Sequence, residues 1–79
     1  MRTYYIDVIA QEGPAGAVVR CAPQCRSMFN GSVPRGYGKS VGAAQESFEW
    51  KAANVLARLN GIGPVRVVSD IVETTKEQA

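Results

Sequence analysis

The sequence predicts an α+β domain: an antiparallel sheet of three to four strands with one long helix packed on one face, in the order β-β-β-α-β. Three observations predict it. Residues 3–10 alternate along the chain and end at a Gly-Pro turn. Apolar residues recur every three or four positions over residues 41–59, the spacing of a helix with one buried stripe. A run rich in β-branched residues, 65–72, follows a Gly-Pro break.

Each element has a local reason. Residues 3–10 place Tyr4, Ile6, Val8 and Ala10 on one face and Thr3, Tyr5, Asp7 and Ile9 on the other, which describes a half-buried strand. Residues 11–16 hold two glycines and a proline and read as a turn. Residues 17–22 form a second strand, which Pro23 ends or marks as an edge. A third strand is expected over residues 25–29, closing at the turn pair Asn30-Gly31. Residues 30–39, with three glycines and a proline, are expected as a loop.

Ser40 is a helix N-cap, and Asn60-Gly61 supplies the C-cap with Ile62 as its capping hydrophobe and Pro64 preventing continuation. Between the caps, Val41, Ala44, Phe48, Ala52, Val55 and Leu59 are the expected buried stripe. The last strand, 65–72, returns to the sheet beside the first strand or at the opposite edge, or pairs with a second copy of the chain. Residues 1–72 therefore read as one domain and 73–79 as a frayed polar tail.

Size and composition narrow the function classes. Seventy-nine residues support one core, and a core this small often gains stability from a partner or from self-association. No apolar run approaches the roughly 20 residues of a membrane-spanning helix. The first residues lead straight into a strand containing Asp7, so no secretory leader is expected and the cytoplasm is the expected compartment. Net charge is +2, yet residues 13–45 contain no acidic side chain and carry Arg20, Arg26, Arg35 and Lys39. That basic middle either steers toward an acidic partner, nucleic acid included, or is ordinary solvation.

Catalysis has little to work with. There is no histidine, and the seven carboxylates are dispersed along the chain without a paired acid and base. Cys21 and Cys25 lack the further ligands a zinc site needs, so no metal or other cofactor is expected; if Ala22-Pro23-Gln24 is a hairpin loop the two sulfurs could bridge across it, but they are expected as thiols, one of them in the core. Gly38-Lys39-Ser40 resembles the end of a phosphate-binding loop, but Val33 stands where that motif requires glycine. What survives is either a plain cap at Ser40 or a helix N-terminus that holds an anion beside Lys39 and Arg35.

Two surfaces remain. At about 100° per residue, Trp50, the only tryptophan, lies opposite the buried stripe, flanked by Ala43, Ala53 and Ala57. Large exposed aromatics mark partner surfaces more often than catalysis. Three occupants are open for this face: a different protein, a second copy of the chain, or the C-terminal strand and tail, with Ile71 and Val72, folded over it. The loop carrying Arg35, Tyr37 and Lys39 is the second surface, able to pair and stack with nucleic acid or to enter a protein groove.

Gly36-Tyr37-Gly38-Lys39-Ser40, followed by Ala43-Ala44, Ala52-Ala53, Leu56 and Leu59, resembles the second half of a double-stranded-RNA-binding domain over the middle third of the chain. The element order, with Ala22-Pro23-Gln24-Cys25, is also similar to the HicB antitoxin family. The second resemblance implies antitoxin function and the first RNA binding, while the basic middle of the chain separately offers nucleic-acid binding through Arg20, Arg26, Arg35 and Lys39. By class alone, a very short chain with an exposed aromatic and no catalytic set looks like a phage-encoded anti-CRISPR inhibitor, acting in the host cytoplasm on a multisubunit CRISPR effector. The sequence-based expectation is therefore a non-enzymatic protein that binds and inhibits a host protein or ribonucleoprotein complex. Trp50, Ala53 and Ala57 would form its apolar anchor, and Arg35, Tyr37 and Lys39 its polar contacts. A homodimer is the further expectation for the Trp50 face, and direct nucleic-acid contact ranks behind both.

Overall fold

A computed structural model of the chain describes residues 1–61 and 63–76. Four strands form one mixed sheet in the order β3-β2-β1-β4, with a single α-helix packed on one face. Strands β1 (Arg2–Gly13), β2 (Gly16–Cys21) and β3 (Arg35–Gly38) make an antiparallel meander. Helix α1 (Val41–Asn60) then crosses the sheet, and β4 (Val65–Lys76) pairs beside β1 in parallel. The α+β class with one long helix on the sheet holds, and the open question of the last strand is answered beside the first.

The third strand differs from expectation. Residues 25–29 are not extended; Pro23–Phe29 is a 3₁₀ helix. Proline at its start is pre-set for helical φ, and Asn30 in the left-handed conformation ends it by donating its N–H to the Ser27 carbonyl at 3.2 Å. This segment carries Phe29 into the core, where its ring meets Phe48 edge-on at 6.5 Å between centroids. Strand β3 instead lies within residues 30–39, expected as a loop.

Gly36 explains why β3 is a strand despite its composition. It is buried beneath α1, and a Cβ there would strike the Ala44 carbonyl oxygen and the Phe48 backbone. Gly38 repeats the arrangement against Ala43 and Ala44. The helix backbone rests directly on the edge strand, and only glycine permits that approach.

Helix boundaries follow the caps. The Ser40 hydroxyl accepts the Ala43 N–H at 3.2 Å, and Gly61, at φ 60°, donates to the Ala57 carbonyl at 3.0 Å. Ile62 lies outside the described residues. Ala44, Phe48, Ala52 and Leu56 are the buried row, with Val41 and Val55 half-buried beside it. Leu59 is 44% exposed, although its angle suits the stripe, because packing ends one turn earlier, where Arg58, Asn60 and Gly61 are exposed as well.

Strand β4 runs to Lys76, beyond the end at residue 72 expected from its apolar run. Glu73 to Lys76 are polar, but they pair in register with Ile9 to Glu12 of β1. A bulge at Val72, between the pairs Val8–Ile71 and Ile9–Glu73, adjusts the register. Residues 77–79 of the expected tail lie outside the described residues.

Side chains of α1 reach past both edges of the sheet. On β3, Lys51 Nζ donates to the Arg35 carbonyl at 3.0 Å. On β4, Gln45 Nε2 donates to the Ser69 carbonyl at 3.1 Å, and Glu49 Oε2 accepts from the Ser69 N–H at 2.9 Å and hydroxyl at 2.6 Å. Unpaired edge groups invite another chain, and these bonds satisfy three of them from within, the Arg35 carbonyl on β3 and the Ser69 N–H and carbonyl on β4. Glu49 thus has a structural task. Glu49→Ala should lower stability by about 2 kcal/mol, since a part-buried charged acceptor is lost, while Glu49→Gln should cost less than half of that. Denaturant unfolding measures both; equal losses would show that the charge contributes nothing.

Candidate functional site

The six side chains expected to contact a partner lie on two surfaces. Gly36 and Gly38 face the helix, so by strand alternation Arg35 and Tyr37 point to the opposite side of the sheet. Trp50 points outward from the far side of α1 and is 71% exposed. Ala53 and Ala57 are half-buried beside it, with Ala53 also packing against the edge of the core. Lys39 is exposed just past the end of β3.

Trp50 keeps its expected orientation for the expected reason: it lies opposite the Ala44–Phe48–Ala52–Leu56 row. Its proposed cover by the last strand does not occur. Ile71 packs into the core and Val72 sits exposed at the β4 bulge, both within the sheet. The lysine next in sequence ties this region to the strand: Lys51 Nζ lies 5.0 Å from the centroid of the Tyr37 ring while bonding the Arg35 carbonyl.

The opposite sheet face has its own order, set by register. Arg35 neighbours Arg20, and Tyr37 neighbours Val18. Ile9 lies beside Arg20, and Gln11 beside Val18. Arg26, brought in by the 3₁₀ helix, joins Arg20 and Arg35 around a cavity of about 240 Å³ completed by Cys21, Gly31 and Val33. A second, larger cleft of about 550 Å³ lies at Val18 and Tyr37 and extends to the β1–β2 turn through Gln11, Gly13 and Pro14. Thus Arg20, Arg26 and Arg35, far apart in sequence, converge, while Lys39 stays outside the cavity.

Both cysteines are free thiols. Burial pushes the Cys21 thiol above its ordinary range, an effect that nearby Arg26 partly offsets. Cys21 is therefore held neutral and packs as a small core residue, with Cys25 half-buried beside the core.

One juxtaposition was invisible in the sequence. Asp7 and Asp70 are register partners on neighbouring parallel strands, and Gln24 Nε2 donates to Asp7 Oδ2 at 3.3 Å. The pairing emerges only once β4 is placed beside β1. Among the described residues, no group of three or more His, Cys, Asp or Glu side chains is arranged to hold a metal ion. No helix of the described residues is long and apolar enough to cross a membrane.

No family model, curated protein or solved structure matches the chain.

Proposed function

We propose that this protein is a non-catalytic binder that inhibits a macromolecular complex by seating the outward face of α1 on it. The observation that carries this reading is Trp50, a large aromatic 71% exposed on a helix whose opposite face is fully committed to the core. Holding an indole in water has a hydrophobic cost that docking removes, and tryptophan is enriched among residues that dominate interface energies. The small side chains of Ala43, Ala53 and Ala57 leave it standing proud of the helix, so it can enter a pocket on a partner. In its specific form, the proposal is an anti-CRISPR-type inhibitor that occupies the nucleic-acid or nuclease-recruitment site of a multisubunit CRISPR effector.

The test is target-DNA binding and cleavage by purified effector complexes, with and without the protein. Inhibition by the wild type, weakened roughly 30-fold or more by Trp50→Ala with the circular dichroism spectrum unchanged, is the expected result. Wild-type protein without effect on any effector class overturns the specific form. A Trp50→Ala variant that inhibits as well as the wild type overturns the anchor. Light scattering covers the remaining occupant: a dimer that Trp50→Glu converts to monomer would assign the face to a second copy of the chain.

A further inference from the structure

The helix-free face of the sheet carries a second surface, independent of Trp50. Arg20 and Arg35 are register neighbours on β2 and β3, and Arg26 approaches from the 3₁₀ helix, so three arginines line one cavity of about 240 Å³. None of the residues lining it is acidic. Three like charges brought together repel one another, and a bound anion relieves that repulsion. Guanidinium groups suit phosphate in particular, because their planar forks donate paired hydrogen bonds to its oxygens.

Two residues farther along the same strands, about 7 Å at strand spacing, Tyr37 neighbours Val18. Tyr37 is 57% exposed and lines the larger cleft of about 550 Å³, where Pro14, Ala15, Ala17 and Val18 offer apolar surface. A cationic cavity and an aromatic cleft one nucleotide's reach apart match a phosphate and its base. The base must be unpaired to lie on the tyrosine, which selects a single strand over a duplex. On the β1–β4 half of the same face Asp7, Asp70 and Glu73 outnumber Arg66, the register partner of Thr3, so the net cationic part of the face lies at β2 and β3. Lys39, exposed just beyond β3, continues the cationic track past the tyrosine.

We propose that the β2–β3 end of the open sheet face binds single-stranded nucleic acid, with a phosphate held by Arg20, Arg26 and Arg35 and a base stacked on Tyr37. The strand therefore lies on the side of the sheet away from α1, and the protein can hold it while Trp50 is engaged elsewhere.

Fluorescence anisotropy with a fluorescein-labelled oligothymidylate and the full-length protein tests this. Binding is expected at about 50 mM salt, with log K falling against log salt at a slope of about −2 for three phosphate contacts. Arg20→Gln and Arg35→Gln should each weaken binding and flatten that slope. Tyr37→Ala should weaken it roughly 5- to 100-fold at unchanged slope, and Tyr37→Phe, which keeps the ring, should bind like the wild type. Trp50→Ala should bind like the wild type, which separates this surface from the helix face. All four side chains replaced in these variants are exposed, and circular dichroism of each variant confirms the fold. No binding at low salt, affinity insensitive to both arginine substitutions, or a duplex bound as tightly as the single strand would each overturn the proposal.

Discussion

Gly36→Ala should remove about 3 kcal/mol or more of folding stability, a large share of what a domain of this size possesses. The methyl group would have to occupy space held by the Ala44 carbonyl oxygen and the Phe48 backbone, and backbone cannot rotate away as a flexible side chain can. The helix must lift off β3, and lifting it withdraws Phe48 from Phe29 and pulls Lys51 from the Arg35 carbonyl. The loss is thus distributed over the interface and is not confined to one clash. Gly42→Ala is the matched control: its Cβ would come no nearer than 4.0 Å to the Ser40 hydroxyl, and alanine in a helix is favoured over glycine by up to about 1 kcal/mol. Denaturant unfolding of the pair should show opposite signs. If Gly36→Ala unfolds at the wild-type midpoint, α1 does not rest on β3 as described.

Phe48→Ala should cost about 3–5 kcal/mol, the range for emptying a fully buried aromatic site. Phe48 is the central residue of the buried row and the only one that meets the 3₁₀ helix ring to ring, through Phe29. Its removal should therefore loosen residues 23–29 as well as α1, and with them the position of Arg26. A Phe29–Phe48 double-mutant cycle isolates the ring pair, for which a coupling of about 0.5–1.5 kcal/mol is expected. Zero coupling would mean that the rings merely fill space. Because both substitutions act on the core, they also calibrate the functional variants: Trp50→Ala should leave the unfolding midpoint near that of the wild type.

Much of the fold was legible because its signals are local. Alternation in β1, the helical period, the Ser40 cap and the Gly61 stop each depend on residues within a few positions of one another. The outward direction of Trp50 followed from the same angles. Residues 25–29 read as a strand although Pro23 at a helix start and Asn30-Gly31 at its end were available as helical punctuation. Residues 35–38 were misread as a loop because two glycines in four positions favour turns when no neighbour is considered.

The candidate sites divide in the same way. Trp50 was identifiable because exposure on a helix is an angular property of the helix itself. Arg20, Arg26 and Arg35 were identifiable singly as cations in an acid-free stretch, but their convergence was not, since it requires β2 and β3 to pair and the 3₁₀ helix to fold back. The side of the sheet on which Arg35 and Tyr37 stand was not legible for a related reason. A loop can turn its side chains either way, whereas a strand whose alternate residues are glycines beneath a helix must turn Arg35 and Tyr37 to the other side.

By itself, the sequence determined the α+β class, the length and caps of α1, the first two strands and the outward tryptophan. Backbone hydrogen-bonding geometry gives each element a short period, and a few neighbouring residues suffice to reveal it. The tertiary structure decided which segment became β3, where β4 entered the sheet, which side chains sealed its edges and which three arginines share a cavity. Those outcomes depend on contact between segments distant in the chain, where space and charge at the meeting point select among local conformations of similar energy.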